Sequence, residues 1–232
     1  MEWNISKEPV DYAAAVAFME ARVQKIRANE ADDLIWLLEH PPLYTAGTSA
    51  KDSDLVDSKG FPVYKTGRGG QYTYHGPGQR IAYVMLDLKK RTPDVRLFVQ
   101  NLEHWIIDVL AGFDVKGEVR EGRVGVWVED IRAYGAANAT NPRNEGGSVS
   151  EGGDTSPPFN HESKIAAVGV RIKQWVTYHG ISININPDLR HYDGIIPCGI
   201  KDYGVTSLEK LGITTCTDEF DTRLIKSFNA IF

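Results

Sequence analysis

Cysteine is scarce in this chain of 232 residues: Cys198 and Cys216 are all there is. They form no CxxC pair, and no cysteine–histidine cluster has zinc spacing, so a disulfide framework and a zinc site are both excluded and a reducing, cytosolic compartment is expected. The histidines are scattered, and none stands in an H-x-x-x-H pair. Long apolar runs are missing too, none approaching the roughly 20 residues that span a bilayer. The start, MEWNISKEPVDY, has no basic stretch followed by an apolar core, and acidic residues come early. Neither a secretory signal nor a transit peptide is therefore expected. Positive charge is not in excess: the net charge of −5 argues against broad nucleic-acid binding. The nucleotide loops G-x-x-x-x-G-K-[ST] and G-x-G-x-x-G are absent.

What the chain does have is enough length for a substantial core and a mixture of helical and strand patterns. Tyr12, Val16, Met19, Val23 and Ile26 recur at helical spacing within 9–29. Thr92-Pro93-Asp94 opens a second helix with an apolar face from Val95 to Val109, followed by Gly112. The stretch 217–232 predicts a final helix with acids in its first turn, and 204–212 a short one. Strands are expected at 33–40, 61–66, 80–88 and 123–130, with a hairpin formed by 164–176 and 179–186. Elements that mix rather than alternate predict an α+β fold with a mixed, mainly antiparallel sheet flanked by helices. Residues 135–163 are rich in Gly, Asn, Ser and Pro and cannot bury enough surface to order themselves, which predicts a flexible insertion within one domain spanning 1–232.

Three stretches invite a chemical reading. The first, GRGGQYTYHGPGQ at 67–79, crowds glycines between strands and so lets backbone approach a ligand; its plain alternative is a pair of tight turns with His75 packed and satisfied. The tetrapeptide Thr-Tyr-His-Gly returns at 177–180, which reads as coincidence. The second stretch begins Ser163-Lys164 and heads an apolar strand; a lysine there is ordinarily a solvated strand end. The third holds Pro197-Cys198-Gly199, where a cysteine on a turn becomes a nucleophile if a cation stabilises its thiolate, the candidates being Lys164, Lys173, Lys201, His75 and His179. The alternative for Cys198 is a buried inert thiol, and Cys216 receives only that reading.

In this order, RGG-x-x-TYHGPGQ, SKIA-x-x-G, HG-x-x-x-N and PCGI resemble the lipoyl (octanoyl) transferases of the biotin/lipoate protein ligase superfamily. Here they fall at Arg68–Gln79, Ser163–Gly169, His179–Asn184 and Pro197–Ile200. The resemblance implies Cys198 as nucleophile, forming an acyl-enzyme thioester, and Lys164 as its partner. It also implies that Arg68, Gly69, Gly70, Gln71, Tyr72, Thr73, Tyr74, His75, Ala167, Val168, Gly169, Gly180, Ile181 and Ser182 bind the acyl substrate. His75 is expected to shape a ligand-facing turn. The donor would be octanoyl-acyl carrier protein. The acceptors would be lysines of lipoyl domains, in 2-oxoacid dehydrogenase complexes and the glycine cleavage H protein, in the first step of endogenous lipoate synthesis. No cofactor and no ATP would be needed, since thioester exchange is near thermoneutral and amide formation is downhill. A cytoplasmic monomer with no nucleic-acid or membrane partner is expected. An ATP-dependent ligase, an amidotransferase between lipoyl domains and a non-catalytic carrier-binding module are the competing readings. Lys89-Lys90-Arg91 is a candidate docking patch for an acidic carrier protein, or an ordinary solvated turn.

Overall fold

Strand β2 (Leu34–Leu38) contains no polar residue, and all its side chains are buried, because the sheet it belongs to is covered on both faces. Side chains alternate along a strand. Leu34, Trp36 and Leu38 accordingly meet helix α1 (Tyr12–Arg27), while Ile35 and Leu37 share a core with α2 (Val95–Ala111) and α3 (Thr217–Ile231). The computed structural model describes residues 1–129, 162–196 and 203–232. The eight-stranded sheet runs in the order β1 (Glu2–Ile5), β2, β6 (Gln79–Met85), β10 (Val176–Asn184), β9 (Glu162–Lys173), β8 (Arg123–Glu129) and β7 (Glu118–Arg120), with β11 (Gly204–Val205) pairing β9. Only β1–β2 and β11–β9 are parallel within it. A second sheet of β4 (Val63–Lys65), β3 (Leu43–Ala46) and β5 (Tyr72–His75) packs its tyrosines around a 3-10 turn at Leu189–Gly194. This is the expected mixed, mainly antiparallel α+β architecture.

The helix ends follow local chemistry. Asp11 accepts from Ala14 N at the start of α1, and Asp94 accepts from Arg96 N and Leu97 N at the start of α2. Helix α3 is tied to the sheet by a buried fork: Arg80 on β6 donates Nε to Asp221 Oδ1 at 2.8 Å and Nη2 to Oδ2 at 2.6 Å. Strands β8 and β9, on either side of residues 130–161, pair through Glu129 and Glu162.

Several expectations need correction. Residues 204–212 do not form a helix: Gly204 and Val205 pair with Ser163 and Lys164, and 208–212 make a hydrogen-bonded turn. Extended pairing with β9 wins over the helical pattern there. The hairpin turns at Gln174-Trp175, not after Val176, and both residues adopt left-handed φ of 52° and 70°, the backbone of a two-residue hairpin turn. Thr73-Tyr74-His75 belongs to strand β5 rather than to a turn; the reversal comes after it, where Gly78 has φ 81°. Cys216 is exposed, not buried, because it precedes the first residue of α3 at the surface. Strand β9 begins at Glu162, so the proposed insertion cannot extend to 163; its remainder falls on 135–161, outside the described residues, as does the motif Pro197–Ile200 with Cys198. Lys89 and Lys90 lie in a 3-10 turn, where Lys90 faces Asp87 at 4.0 Å and Arg91 faces Asp33 at 3.5 Å.

Candidate active site

Strands β5, β8, β9 and β10 surround a cavity of about 260 Å³. Twelve of the fourteen residues expected to bind substrate line it: Arg68, Gly70, Gln71, Tyr72, Thr73, His75, Ala167, Val168, Gly169, Gly180, Ile181 and Ser182. Gly69 and Tyr74 do not. Gly69 N donates to Val170 O at 2.9 Å, which fastens the loop to β9, and the Tyr74 hydroxyl meets His191 Nδ1 at 2.8 Å instead.

The glycines serve close approach. Gly180 crosses β6 where a Cβ would sit 2.2 Å from Ala82 O. Gly125 on β8 has φ 119°, and a Cβ there would lie 2.5 Å from Lys164 Cε and 2.6 Å from Ala166 O. Its N–H is held by the buried Glu103 carboxylate at 2.8 Å. This gap lets Lys164, buried at 8% exposure, run across β8 and donate Nζ to Val124 O at 2.7 Å, with Nζ 5.3 Å from the Trp127 ring centroid. Gly125→Ala is expected to cost about 2–3 kcal/mol, through backbone strain and the displaced lysine stem. Denaturant titration would measure it, and an unchanged midpoint would contradict the packing described.

Arg68 is largely spent on its own loop. Its Nη2 donates to Thr45 O, Thr45 Oγ1 and Gln71 O at 3.0, 2.6 and 3.0 Å, and its Nη1 to Gly69 O at 2.9 Å. It thereby moulds the wall.

Three buried histidines from distant segments gather here: His75 and His179 line the cavity, and the His40 ring lies 6.1 Å from that of His75. His40 Nδ1 donates to Val10 O at 2.5 Å, since a carbonyl can only accept, and its Nε2 takes the Tyr83 hydroxyl at 2.6 Å. His75 Nδ1 donates to Gln79 Oε1 at 2.6 Å, the amide nitrogen of Gln79 being committed to Tyr74 O, Asn184 Oδ1 and the Tyr192 hydroxyl. His179 has φ 61° within β10, which swings its ring onto the face of Tyr178, the two rings stacking at 5.5 Å. Burial above all holds His75 and His179 down to about 3 and His40 to about 4, with neighbouring His40 and Arg68 contributing at His75 and Arg68 at His179. All three are neutral near pH 7, so this part of the cavity is polar in hydrogen bonding but carries no histidine charge.

The family model for the lipoyl protein ligase A/B catalytic domain matches residues 11–229. An octanoyltransferase of Paramagnetospirillum magneticum is 55% identical over 232 residues, covering 100% of this chain and 97% of that protein. One from Brucella melitensis is 54% identical, over 100% of this chain and 81% of its own length. The chain belongs to the octanoyltransferase family.

Solved structures extend the likeness at the level of fold for this octanoyltransferase family member. Lipoate-protein ligase A bound with ATP superposes with a TM-score of 0.69 at 11% identity, covering 100% of this chain and 85% of that one. The bipartite lipoate protein ligase of Thermoplasma acidophilum gives 0.64 at 12% identity, covering 100% and 84%. The cavity also holds residues that sequence reasoning did not single out as site residues: Tyr12, Tyr83, Arg123 and Trp127. No motif marks them. His40, hydrogen-bonded to Tyr83, follows two residues after the end of β2. Arg123 donates Nη2 to Glu162 Oε2 at 2.8 Å and lies over the rings of Trp127 at 4.6 Å and Tyr203 at 4.1 Å. Among the described residues, no group of His, Cys, Asp and Glu is arranged to hold a metal ion, and no helix is long and apolar enough to cross a membrane.

Proposed function

We propose that residues 1–232 form one octanoyltransferase domain that moves an octanoyl group from octanoyl-acyl carrier protein to a lysine of a lipoyl domain, through a thioester on Cys198. The supporting observation is the setting of Lys164. Lys164 lines the cavity, and residues 203–206, beyond the Pro197–Ile200 motif, run beside its backbone: Val205 pairs with Lys164, and Thr206 N donates to Lys164 O at 3.0 Å. On the other side of the motif, Ile196 N is fixed to Asp54 O at 2.8 Å. The described residues on either side, Ile196 and Val205, are thus both held in place, the second of them on the lysine's own strand.

In this reading Lys164 as ammonium stabilises the Cys198 thiolate. As amine it takes a proton from the incoming lysine. The octanoyl chain packs against Ala167, Val168, Ile181 and the flat backbone at Gly169 and Gly180, and Arg68 with Gln71 to His75 forms the facing wall. The enzyme acts as a cytoplasmic monomer and needs neither ATP nor a cofactor. Its acceptors include lipoyl domains of 2-oxoacid dehydrogenases and the glycine cleavage H protein.

The test is intact mass after incubation with octanoyl-acyl carrier protein and no ATP. One octanoyl group is expected on the wild type and on Cys216→Ser, discharged by a lipoyl domain. Cys198→Ser is expected to lose at least about a thousandfold in transfer. Transfer that persists in Cys198→Ser, or that requires ATP and free acid, overturns the proposal.

A further inference from the structure

Helix α2 carries a carboxylate into the core. Glu103 is buried, and its neighbours Leu102, Trp105 and Ile106 belong to the apolar cluster beneath the sheet. Among the described residues it has no ion pair, and its side chain makes a single hydrogen bond, accepted from Gly125 N at 2.8 Å. A carboxylate taken from water for so little is costly, and an apolar side chain would fill the space more favourably. Its effect is felt one peptide unit away. The N–H that Glu103 accepts from and the carbonyl that takes the Lys164 ammonium are the two sides of the same Val124–Gly125 peptide: Lys164 Nζ donates to Val124 O at 2.7 Å. That unit is planar, so fixing its N–H fixes its carbonyl. The strand ladder does not do this. Gly125 has no partner in either ladder of β8, and both ladders are irregular around it. Its φ of 119° adds no restraint, since a glycine turns freely there. Accepting from the N–H also strengthens the carbonyl as an acceptor, because hydrogen bonds in series polarise one another.

We infer that Glu103 is a positioning residue for the transfer reaction: through the Val124–Gly125 peptide it sets where the Lys164 ammonium stands in the cavity wall. The inference rests on the octanoyl-transfer reading, in which Lys164 handles the protons. Glu103 itself touches no substrate, forms no bond and gives up no proton. A lysine stem is flexible, so its ammonium is only as well placed as the acceptor that holds it. Misplacing such a group by about 1 Å can cost a factor of about 10² in rate. Binding of the acyl chain should be spared. The wall at Ala167, Val168, Gly169, Gly180 and Ile181 is built by the β9–β10 pair, not by the peptide of β8 that Glu103 holds.

The experiment follows octanoyl transfer to a lipoyl domain at saturating acceptor while octanoyl-acyl carrier protein is varied. Glu103→Leu fills the space without an acceptor, and is expected to lower kcat by about 10–100-fold and to change the donor KM much less. Glu103→Gln still offers an oxygen to Gly125 N and should keep most of the rate. If Glu103→Leu melts early, the comparison passes to Glu103→Asp, whose shorter side chain withdraws the acceptor while keeping the charge. It too should lose kcat. Wild-type kcat in the variant so compared, a loss confined to KM, or a loss in Glu103→Gln as large as theirs would each overturn the inference. Lys164→Ala separates this inference from the function it rests on. Full transfer in Lys164→Ala removes the lysine's role, and Glu103's with it. Lost transfer there beside wild-type kcat in Glu103→Leu defeats the positioning role alone.

Discussion

Acidifying the protein from pH 7 to pH 4.5 is expected to remove on the order of 5 kcal/mol of folding stability through histidines alone. His40, His75 and His179 are neutral in the fold down to about 4, 3 and 3, whereas in the unfolded chain each protonates near its ordinary value of 6.5. Between those limits the unfolded state binds more protons than the native state, so stability falls as pH falls. It is fully present above pH 6.5 and is lost progressively down to about pH 3–4. Repulsion sharpens the effect: His40 and His75 have ring centroids 6.1 Å apart, and Arg68 faces both His75 and His179. Urea unfolding midpoints between pH 7 and 4.5 would give the proton difference from the slope. His179→Gln should flatten that slope by up to about 1.4 kcal/mol per pH unit. A slope worth less than about one proton across this interval would mean that the three imidazoles are not buried as neutral groups.

Asp221→Ala should destabilise the protein by about 3–5 kcal/mol, because it leaves the Arg80 guanidinium charged and nearly water-free within the sheet. The side chains of Arg80 and Asp221 are 2% and 5% exposed, and the pair is bidentate. For a chain of this size the loss corresponds to a melting temperature lower by about 10 °C. The double variant Arg80→Met/Asp221→Leu should recover much of it, since replacing both partners removes the stranded charge as well as the attraction. If the single substitution changes the melting temperature by no more than a surface mutation does, α3 is held to the sheet by its apolar face alone. That face, Phe220, Leu224 and Phe228, is fully buried against α2 and the sheet.

The long periodic elements were legible in the sequence because many residues vote for each. Helices α1 and α2 and strands β2, β6 and β8 fall where apolar spacing puts them, within a few residues. The short strands were not. β1, β3, β5 and β7 have three or four residues, too few to establish a period. The hairpin turn was missed because Gln174-Trp175 carries no glycine or asparagine to announce its left-handed backbone. Motif resemblance supplied most of the cavity wall, yet it also named Tyr74, whose hydroxyl meets His191 instead. The histidine cluster was invisible for another reason: His40, His75 and His179 lie in three segments that only the sheet order brings together.

The pairing of Glu129 with Glu162 has a consequence in polymer terms. The two ends of the segment between β8 and β9 are already neighbours, pinned side by side by the ladder. Whatever length of chain joins them, the fold meets it as a closed loop with a fixed mouth. Each doubling of such a loop costs only about 0.6 kcal/mol. A flexible insertion placed at this junction is therefore expected to cost little in chain-closure entropy. The same number of residues inserted at Gln174-Trp175 would break a two-residue turn and the register of both cavity-lining strands.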